Sequence, residues 1–275
     1  MTYLPRLDAT PSAAPLSGAG RAAADWPELM AEFDRWSEAG RVARLWWRDD
    51  DAAAATPELV DLLRIAGRTP LALAVIPAFA TADLAALLHD APAVAVLQHG
   101  WRHANRAIEG RKSEYPSGLP AAILAAELNQ GRDRLIALFG TRALPVFVPP
   151  WNRIAPELLP TLAESGIAAL STIASEKKPA PPAGRPAGLG LIDVHIDLTD
   201  WKDGCRFIGT AAALGALVFR LRRIRLGKLA SDRAIGILTH HMVMDRETAA
   251  FLAALIKSVA GHRAARWVDI VEMLR

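Results

Sequence analysis

The sequence predicts an α/β fold, a parallel sheet covered by helices, and three observations carry that prediction. Short apolar runs of strand character alternate with amphipathic helical patterns from about residue 26 onward. The 275 residues are 52% hydrophobic and 22% charged, a globular composition with enough length for a sizeable core. Polar clusters recur where the apolar runs end. Six or seven strands alternating with helices suit a closed or nearly closed barrel and an open doubly wound sheet alike. In either case ligand sites lie at the carboxyl ends of the strands.

The elements follow in order. Residues 1–20 lack periodicity and are expected to form a flexible leader, with 21–275 as a single domain. A helix over 26–39 places Leu29, Met30, Phe33 and Trp36 on one face. A strand over 42–47 precedes a helix over 57–66, for which Thr56 is the N-cap and Pro57 suits the first turn. Then come a strand (71–76), a helix (82–89), a strand (93–97), a long helix (120–139), a strand (144–148), a short helix (156–165) and a strand (167–172). Residues 174–190, rich in Pro and Gly and holding Lys177 and Lys178, read as a surface loop. A β-like run (191–196), a helix (210–225), a strand (234–238) and helices over 246–259 and 268–274 complete the chain.

Composition excludes several function classes. Lys and Arg total 32 against 29 Asp and Glu, a net charge of +3, so charge gives little support to nucleic-acid binding. The single cysteine, Cys205, excludes an internal disulfide framework and a cysteine-based zinc cluster. The apolar run 211–219 is too short to span a bilayer, which takes about 20 residues. Its Arg-rich end reads as a solvated last helical turn that favours the helix dipole. With no export signal in view, a cytoplasmic location is expected. The sequence leaves the oligomeric state open.

Chemistry-bearing residues gather at one predicted rim. The first strand runs into Arg48, Asp49, Asp50 and Asp51; the third into His99 and His103; the fourth into Trp151, Asn152 and Arg153. The run near Val194 leads to Asp197, Asp200 and Trp201, and the strand before Thr239 leads to His240 and His241. Four of the seven histidines thus fall on that rim. Taken singly, each piece has a plainer reading: a solvated Asp turn, surface or core histidines, and Trp46, Trp47, Trp101 and Trp151 as packing anchors.

Together they suit metal-assisted hydrolysis. Two imidazoles and a carboxylate are a common set for a divalent ion with positions left open for water and substrate. His99 and His103, at i and i+4, converge if the chain turns helically after the strand, with Asp51 as third ligand. Asp50 is then near enough to take a proton from the attacking water, and His240 could protonate a leaving amine.

These motifs resemble the NodB-homology polysaccharide deacetylase family. In that family an Asp pair, a His-x-x-x-His pair, a Pro-containing strand end, Asp-x-x-Asp-Trp and Leu-x-His occur in this order. Here they read Arg48-Asp49-Asp50-Asp51, His99 and His103, Phe147-Val148-Pro149-Pro150-Trp151-Asn152, Asp197-Leu198-Thr199-Asp200-Trp201 and Leu238-Thr239-His240. The resemblance covers roughly residues 42–245. It implies a distorted (β/α)7 barrel and a divalent metal, zinc first with cobalt, nickel or manganese as alternatives, that serves hydrolysis of N-acetyl groups on amino sugars.

By position the resemblance makes Asp50 the base, Asp51, His99 and His103 the ligands, and His240 the acid. Asp200 and Trp201 become the elements that orient the acid and line the acyl pocket; Trp151 also lines that pocket, and Asn152 is placed to hydrogen-bond substrate. Asp197 joins this orienting group. The run of three aspartates also allows Asp49 and Asp50 as the base and ligand pair; strand alternation permits only one register.

Two departures mark a divergent branch. The family commonly has Arg where this chain has Val148; Arg48, Arg153 or Lys202 could supply that charge. It also favours Ser or Thr where this chain has Gly100. His241 is a further candidate on the rim. The expected partner is a small-molecule or saccharide substrate, not nucleic acid. Two rival readings remain: a cyclic-amide (allantoin-type) hydrolase of the same fold, and a non-catalytic carbohydrate-binding or regulatory barrel.

Overall fold

The computed structural model describes residues 23–174, 185–229 and 234–275. The leader, Lys177 and Lys178 therefore lie outside the described residues. Strand β1 (Ala43–Ala52) is the hub of a parallel sheet with β2 (Leu71–Val75), β3 (Val94–His99), β4 (Ala143–Val148), β5 (Ala169–Leu170) and β6 (Gly190–Leu191) on one side. On its other side lie β10 (Ile235–Thr239) and then β7 (Ile196–Asp197). A hairpin of β8 (Thr199–Asp200) and β9 (Arg206–Phe207) stands apart, and β11 (Ala265–Trp267) pairs with the start of β1.

The segment holding β6 and β7 closes the ring. Its first half pairs with β5, through Ala169 opposite Gly190 and Leu170 opposite Leu191. Its second half pairs with β10, through Ile237 opposite Ile196 and Leu238 opposite Asp197. Between them Val194 N–H donates to Thr172 O (2.9 Å) and His195 N–H to Gly236 O (2.8 Å). Counted this way there are seven staves, the distorted (β/α)7 barrel that the resemblance implied. Gly236 permits the seam: a Cβ there would lie 2.6 Å from Val194 Cα and 2.5 Å from Trp46 Nε1.

The helices are α1 (Trp26–Glu38), α2 (Pro57–Ala66), α3 (Ala82–His89), α4 (Ala121–Phe139), α5 (Leu159–Glu164), α6 (Thr210–Arg225), α7 (Arg246–Ala260) and α8 (Ile270–Met273). Their starts have local causes. Asp25 and Glu28 form a capping box on α1 (2.9 Å each way), and Thr56 Oγ1 accepts the Leu59 N–H to cap α2. On α1, Leu29, Phe33 and Trp36 are buried as the periodicity predicts, and Met30 packs at their margin. The last helix is shorter than the expected 268–274 because Val268 N–H bonds to Leu45 O (2.8 Å) and Asp269 caps α8 at its start. Among the described residues no helix is long and apolar enough to cross a membrane.

Alternation along β1 sorts its residues between two sides. Trp46 joins an apolar cluster fed by every stave (Ala72, Leu97, Val146, Ala169, Val194 and Leu238 among others), which fills the barrel interior. Leu45 and Trp47 instead face the clusters under the helices. Both tryptophans are buried anchors. Arg48 and Asp50 share the parity of Trp46 and so rise into the barrel mouth.

Candidate active site

β1 extends five residues beyond the predicted strand, through the aspartate run to Ala52. The three carboxylates have separate surroundings. Asp49, which lies opposite Thr239 in the sheet register, accepts from Thr239 Oγ1 (2.6 Å) and contacts His241 Nδ1 (2.5 Å). Trp47 Nε1 donates to the same Thr239 hydroxyl (2.8 Å). Asp50 lies within the barrel mouth against Arg48. Asp51 follows on the same side because strict alternation fails here: the pairing with β2 shifts register between Asp49 and Ala52, and Asp51 has a left-handed φ of 74°. This bulge brings two consecutive aspartates to one site.

Asp51, His99 and His103 converge, their ligand atoms all within 4.8 Å of one another. Asp51 Oδ1 lies 3.0 Å from His99 Nε2 and 3.3 Å from His103 Nε2. Ligands about 2.0–2.1 Å from a tetrahedral ion stand ~3.3 Å apart, so the spacing fits a divalent metal. The outer contacts fit too. His99, opposite Val148 in the sheet, has Nδ1 3.0 Å from Val148 O. A proton on Nδ1 for that bond leaves the Nε2 lone pair for the ion.

Burial by itself would raise the Asp51 carboxyl, but the charge of His103 and the hydrogen bond and charge of His99 hold it well below the usual carboxylate range. Burial opposes charge on His99, yet Asp51 and Asp50 push it up; on His103 burial prevails and pushes it down.

The path from His99 to His103 corrects one expectation. The chain does not turn helically after β3. It makes an irregular bend with left-handed φ at Gly100 (57°) and His103 (54°). The buried carboxylate of Glu114 spans the inside of this bend, accepting from Trp101 N–H (3.2 Å) and Arg102 N–H (2.8 Å). Burial pushes the Glu114 carboxyl up, against the opposing pull of those backbone N–H groups.

Of the cations considered for the charge missing at Val148, Arg48 is the one paired with Asp50. Its Nη2 donates to Asp50 Oδ2 (2.9 Å) and its Nε lies 2.8 Å from Asp50 Oδ1, both side chains being fully buried. Ser171 Oγ (2.7 Å) and Asn152 Oδ1 (2.7 Å) accept further bonds from the same guanidinium. Of the other cations considered, Arg153 donates to Lys112 O (2.8 Å) and Lys202 is exposed.

The side-chain oxygen of Asn152, expected to hydrogen-bond substrate, is engaged by Arg48. Trp151 and Asn152 are consecutive left-handed residues (φ 57° and 55°) after the Pro149-Pro150 pair, a conformation that costs on the order of 1 kcal/mol or more for a residue such as Trp. That turn sets the Trp151 ring 4.3 Å from the His103 ring.

Across the rim, His240 meets Trp201 edge to face at 4.6 Å, and its Nδ1 lies 3.8 Å from Asp197 Oδ1. Trp201 Nε1 donates to the other Asp197 oxygen (2.8 Å), and Thr199 N–H donates to Oδ1 (3.0 Å). Burial pushes the Asp197 carboxyl up, against the pull of His240. Asp200, expected to orient His240, is engaged elsewhere. Asp200 Oδ1 caps the following turn, accepting from Lys202 N–H (2.9 Å) and Asp203 N–H (3.3 Å), and Asp197 is the carboxylate beside His240. His241 faces Asp49 instead; burial opposes its charge, but Asp49 outweighs burial and pushes the imidazole up.

A cavity of about 520 Å³, lined by Asn152, Arg153, Tyr115, Leu159, Leu170 and Thr172 among others, adjoins the Arg48 network through Asn152. Sequence reasoning missed Glu114 and Ser171, and gave Thr239 no contact of its own. Each acts through a long-range contact, and an isolated Glu, Ser or Thr in a loop or at a strand end gives no periodic signal.

No protein-family model and no curated protein sequence matches the chain. Solved structures do. A provisionally named polysaccharide deacetylase from Mycobacterium smegmatis aligns with a TM-score of 0.58 at 19% identity, covering 92% of this chain and 92% of that one. A family 4 acetyl xylan esterase from Clostridium thermocellum, in complex with a cobalt ion, gives 0.51 at 13% identity over 84% and 89% of the two chains. A family 4 carbohydrate-esterase pseudoenzyme from Bacillus anthracis gives 0.52 at 13% over 86% and 66%. The fold is that of the NodB-homology polysaccharide deacetylases, as the motifs implied.

Proposed function

We propose that the chain is a metal-dependent amide hydrolase that removes the acyl group from an acetylated amino sugar or a related small acylated substrate. One observation carries this reading: a ligand set (Asp51, His99, His103), a buried carboxylate fixed by a guanidinium (Asp50 and Arg48) and an imidazole beside a carboxylate (His240 and Asp197) share one rim. Asp51, His99 and His103 would hold the ion, and the donor set of two nitrogens and one oxygen favours zinc, with cobalt, nickel or manganese as alternatives. An ion bound there lowers the pKa of a water ligand and polarises the acyl carbonyl.

The chain's own residues do the rest. Asp50 accepts a proton from the water as its oxygen attacks the acyl carbon. Arg48 holds both carboxylate oxygens of Asp50 so that the acceptor atom stays aligned. His240 donates a proton to the departing nitrogen as the C–N bond breaks, leaving acetate and a free amine. Asp197, whose Oδ1 lies 3.8 Å from Nδ1, would orient the imidazole. Trp151 and Trp201 wall the acyl pocket. The neighbouring cavity, at about 520 Å³, is of the size that small-molecule sites use, roughly 300–1,000 Å³.

Elemental analysis of the purified chain and of a His99→Ala, His103→Ala double variant tests the reading. One divalent ion per chain, lost in the variant, is expected, with acetate release from an N-acetylated sugar by wild type only. Hydrolysis of cyclic amides alone would move the assignment to that bond. Metal without hydrolysis of either would favour a binding barrel, and no metal after zinc and cobalt loading would sink the mechanism.

A further inference from the structure

The bend between His99 and His103 is built around a residue that neither the sequence motifs nor the reaction accounts for. Glu114 is fully buried, thirteen residues beyond Trp101, and its two oxygens face the backbone of the bend. Oε2 accepts from Trp101 N–H at 3.2 Å; Oε1 accepts from Arg102 N–H at 2.8 Å and lies 3.5 Å from Ala104 N. The N–H groups on both sides of His103 are thus tied to one carboxylate. The carbonyl of Gly100 is held separately by Gln98 Nε2 (3.2 Å), and that of Trp101 by Ala78 N–H (3.0 Å).

The same carboxylate explains Gly100. A Cβ at position 100 would stand 2.1 Å from Glu114 Oε2 and 2.6 Å from Pro150 Cδ, and the residue has a left-handed φ of 57°. Any side chain there would displace the carboxylate from the bend. Gly100 and Glu114 are therefore two halves of one arrangement, in which space surrendered by the first is occupied by the second.

We infer that Glu114 is a positioning residue for the metal site: it fixes the backbone of residues 101–104 in the left-handed bend that presents His103 to Asp51 and His99, and Gly100 is the vacancy it requires. The inference rests on the metal reading of Asp51, His99 and His103. It goes beyond that reading by giving the ligand set a support outside the motifs, one that acts on the backbone rather than on an imidazole. His103 depends on it more than His99 does, because His99 lies on β3 and is already fixed by the sheet and by Val148 O.

The test uses the full chain and zinc. Glu114→Gln keeps the shape and one acceptor oxygen but turns an amide NH2 towards a backbone N–H; Glu114→Asp withdraws the carboxylate by one methylene. Both are compared with wild type for zinc affinity, by competition with a chromophoric chelator, and for the visible spectrum of the cobalt-loaded form. Urea unfolding of the metal-free proteins reports stability separately. Zinc affinity lowered about 10–100-fold in folded variants, with an altered cobalt spectrum, is expected for a support of this kind. Variants that lose stability but, while folded, bind zinc with wild-type affinity and spectrum would overturn the inference and leave the metal reading standing.

If neither variant folds, hydrogen exchange on metal-free wild type decides. Protected amides at Trp101 and Arg102 support the bend as preformed, and exchange at the rate of an open loop overturns it. Wild type without zinc binding would remove the metal reading and this inference with it.

Discussion

Arg48 and Asp50, two residues apart on one strand, form a buried two-point ion pair, with Nη2 2.9 Å from Oδ2 and Nε 2.8 Å from Oδ1. Side chains at i and i+2 of a strand rise from the same face. The guanidinium therefore needs no second strand to reach the carboxylate. Ser171 accepts from Nη1 and Asn152 from Nη2, which ties the guanidinium at two further points.

Arg48→Lys is predicted to lower kcat by about 10–100-fold while leaving bound zinc unchanged, because a lysine cannot grip both oxygens of Asp50. Steady-state kinetics on an acetylated sugar, paired with elemental analysis, checks it. Activity within twofold of wild type would falsify the role given to Arg48.

The Asp49–His241 pair makes a pH-dependent contribution to stability. His241 is raised above the ordinary imidazole value of 6.5, so the pair's contribution is fully present below that value. It is lost as pH rises through the raised value. The stability gap between wild type and Asp49→Asn, measured by urea unfolding of metal-free protein, is predicted to be larger at pH 6 than at pH 9. A gap that stays constant or widens with pH would count against the charged pair.

Gly236→Ala is predicted to destabilise the chain by about 2–3 kcal/mol or more. The new methyl group meets the backbone of the closing segment, at Val194 Cα and Asp193 O, which cannot yield as a flexible side chain would. Denaturant midpoints measure the loss, and a change under about 0.5 kcal/mol would show that the seam can shift.

Between α1 and α6, Glu32 is buried and accepts from Arg225 Nε (2.7 Å) and Nη2 (3.1 Å). Arg225→Ala leaves that carboxylate with only the longer Arg35 contact and is predicted to cost ~3 kcal/mol. Replacing both residues, Glu32→Met with Arg225→Leu, should recover most of the loss. A double variant as unstable as the single one would mean that packing, not charge, is what Arg225 supplies.

Much of this site was legible in the sequence, and the rest was hidden for identifiable reasons. Strand ends and residue chemistry located Asp50, Asp51, His99, His103 and His240, because the α/β rule converts a linear feature into a place. Adjacent aspartates on one side were not derivable, since the bulge at Asp51 breaks the alternation on which the register argument relied. The exchange of Asp200 for Asp197 has a similar origin: the hairpin of β8 and β9 turns Asp200 into a local cap, and no periodic pattern announces a two-residue hairpin. Arg48 could be named as one of three candidate cations but not chosen, because the choice depends on where Ser171 and Asn152 stand. Glu114 gave no signal, since its partners are backbone groups and any loop sequence supplies those.

The seam of the barrel divides the rim into two mechanical halves. β1, β2 and β3 are joined by long parallel ladders, and Asp50, Asp51 and His99 ride on them. The closing segment pairs with β10 at two register positions and with the β5 stave at two more and the separate Ile173–Val194 bridge, and Asp197 sits at its end. Local opening follows the shortest ladder. The half that would hold the ion is therefore the stiff side of the mouth, and His240, at the end of β10 with its five register positions to β1, belongs to it; the flank carrying Asp197 and Trp201 is the side expected to give.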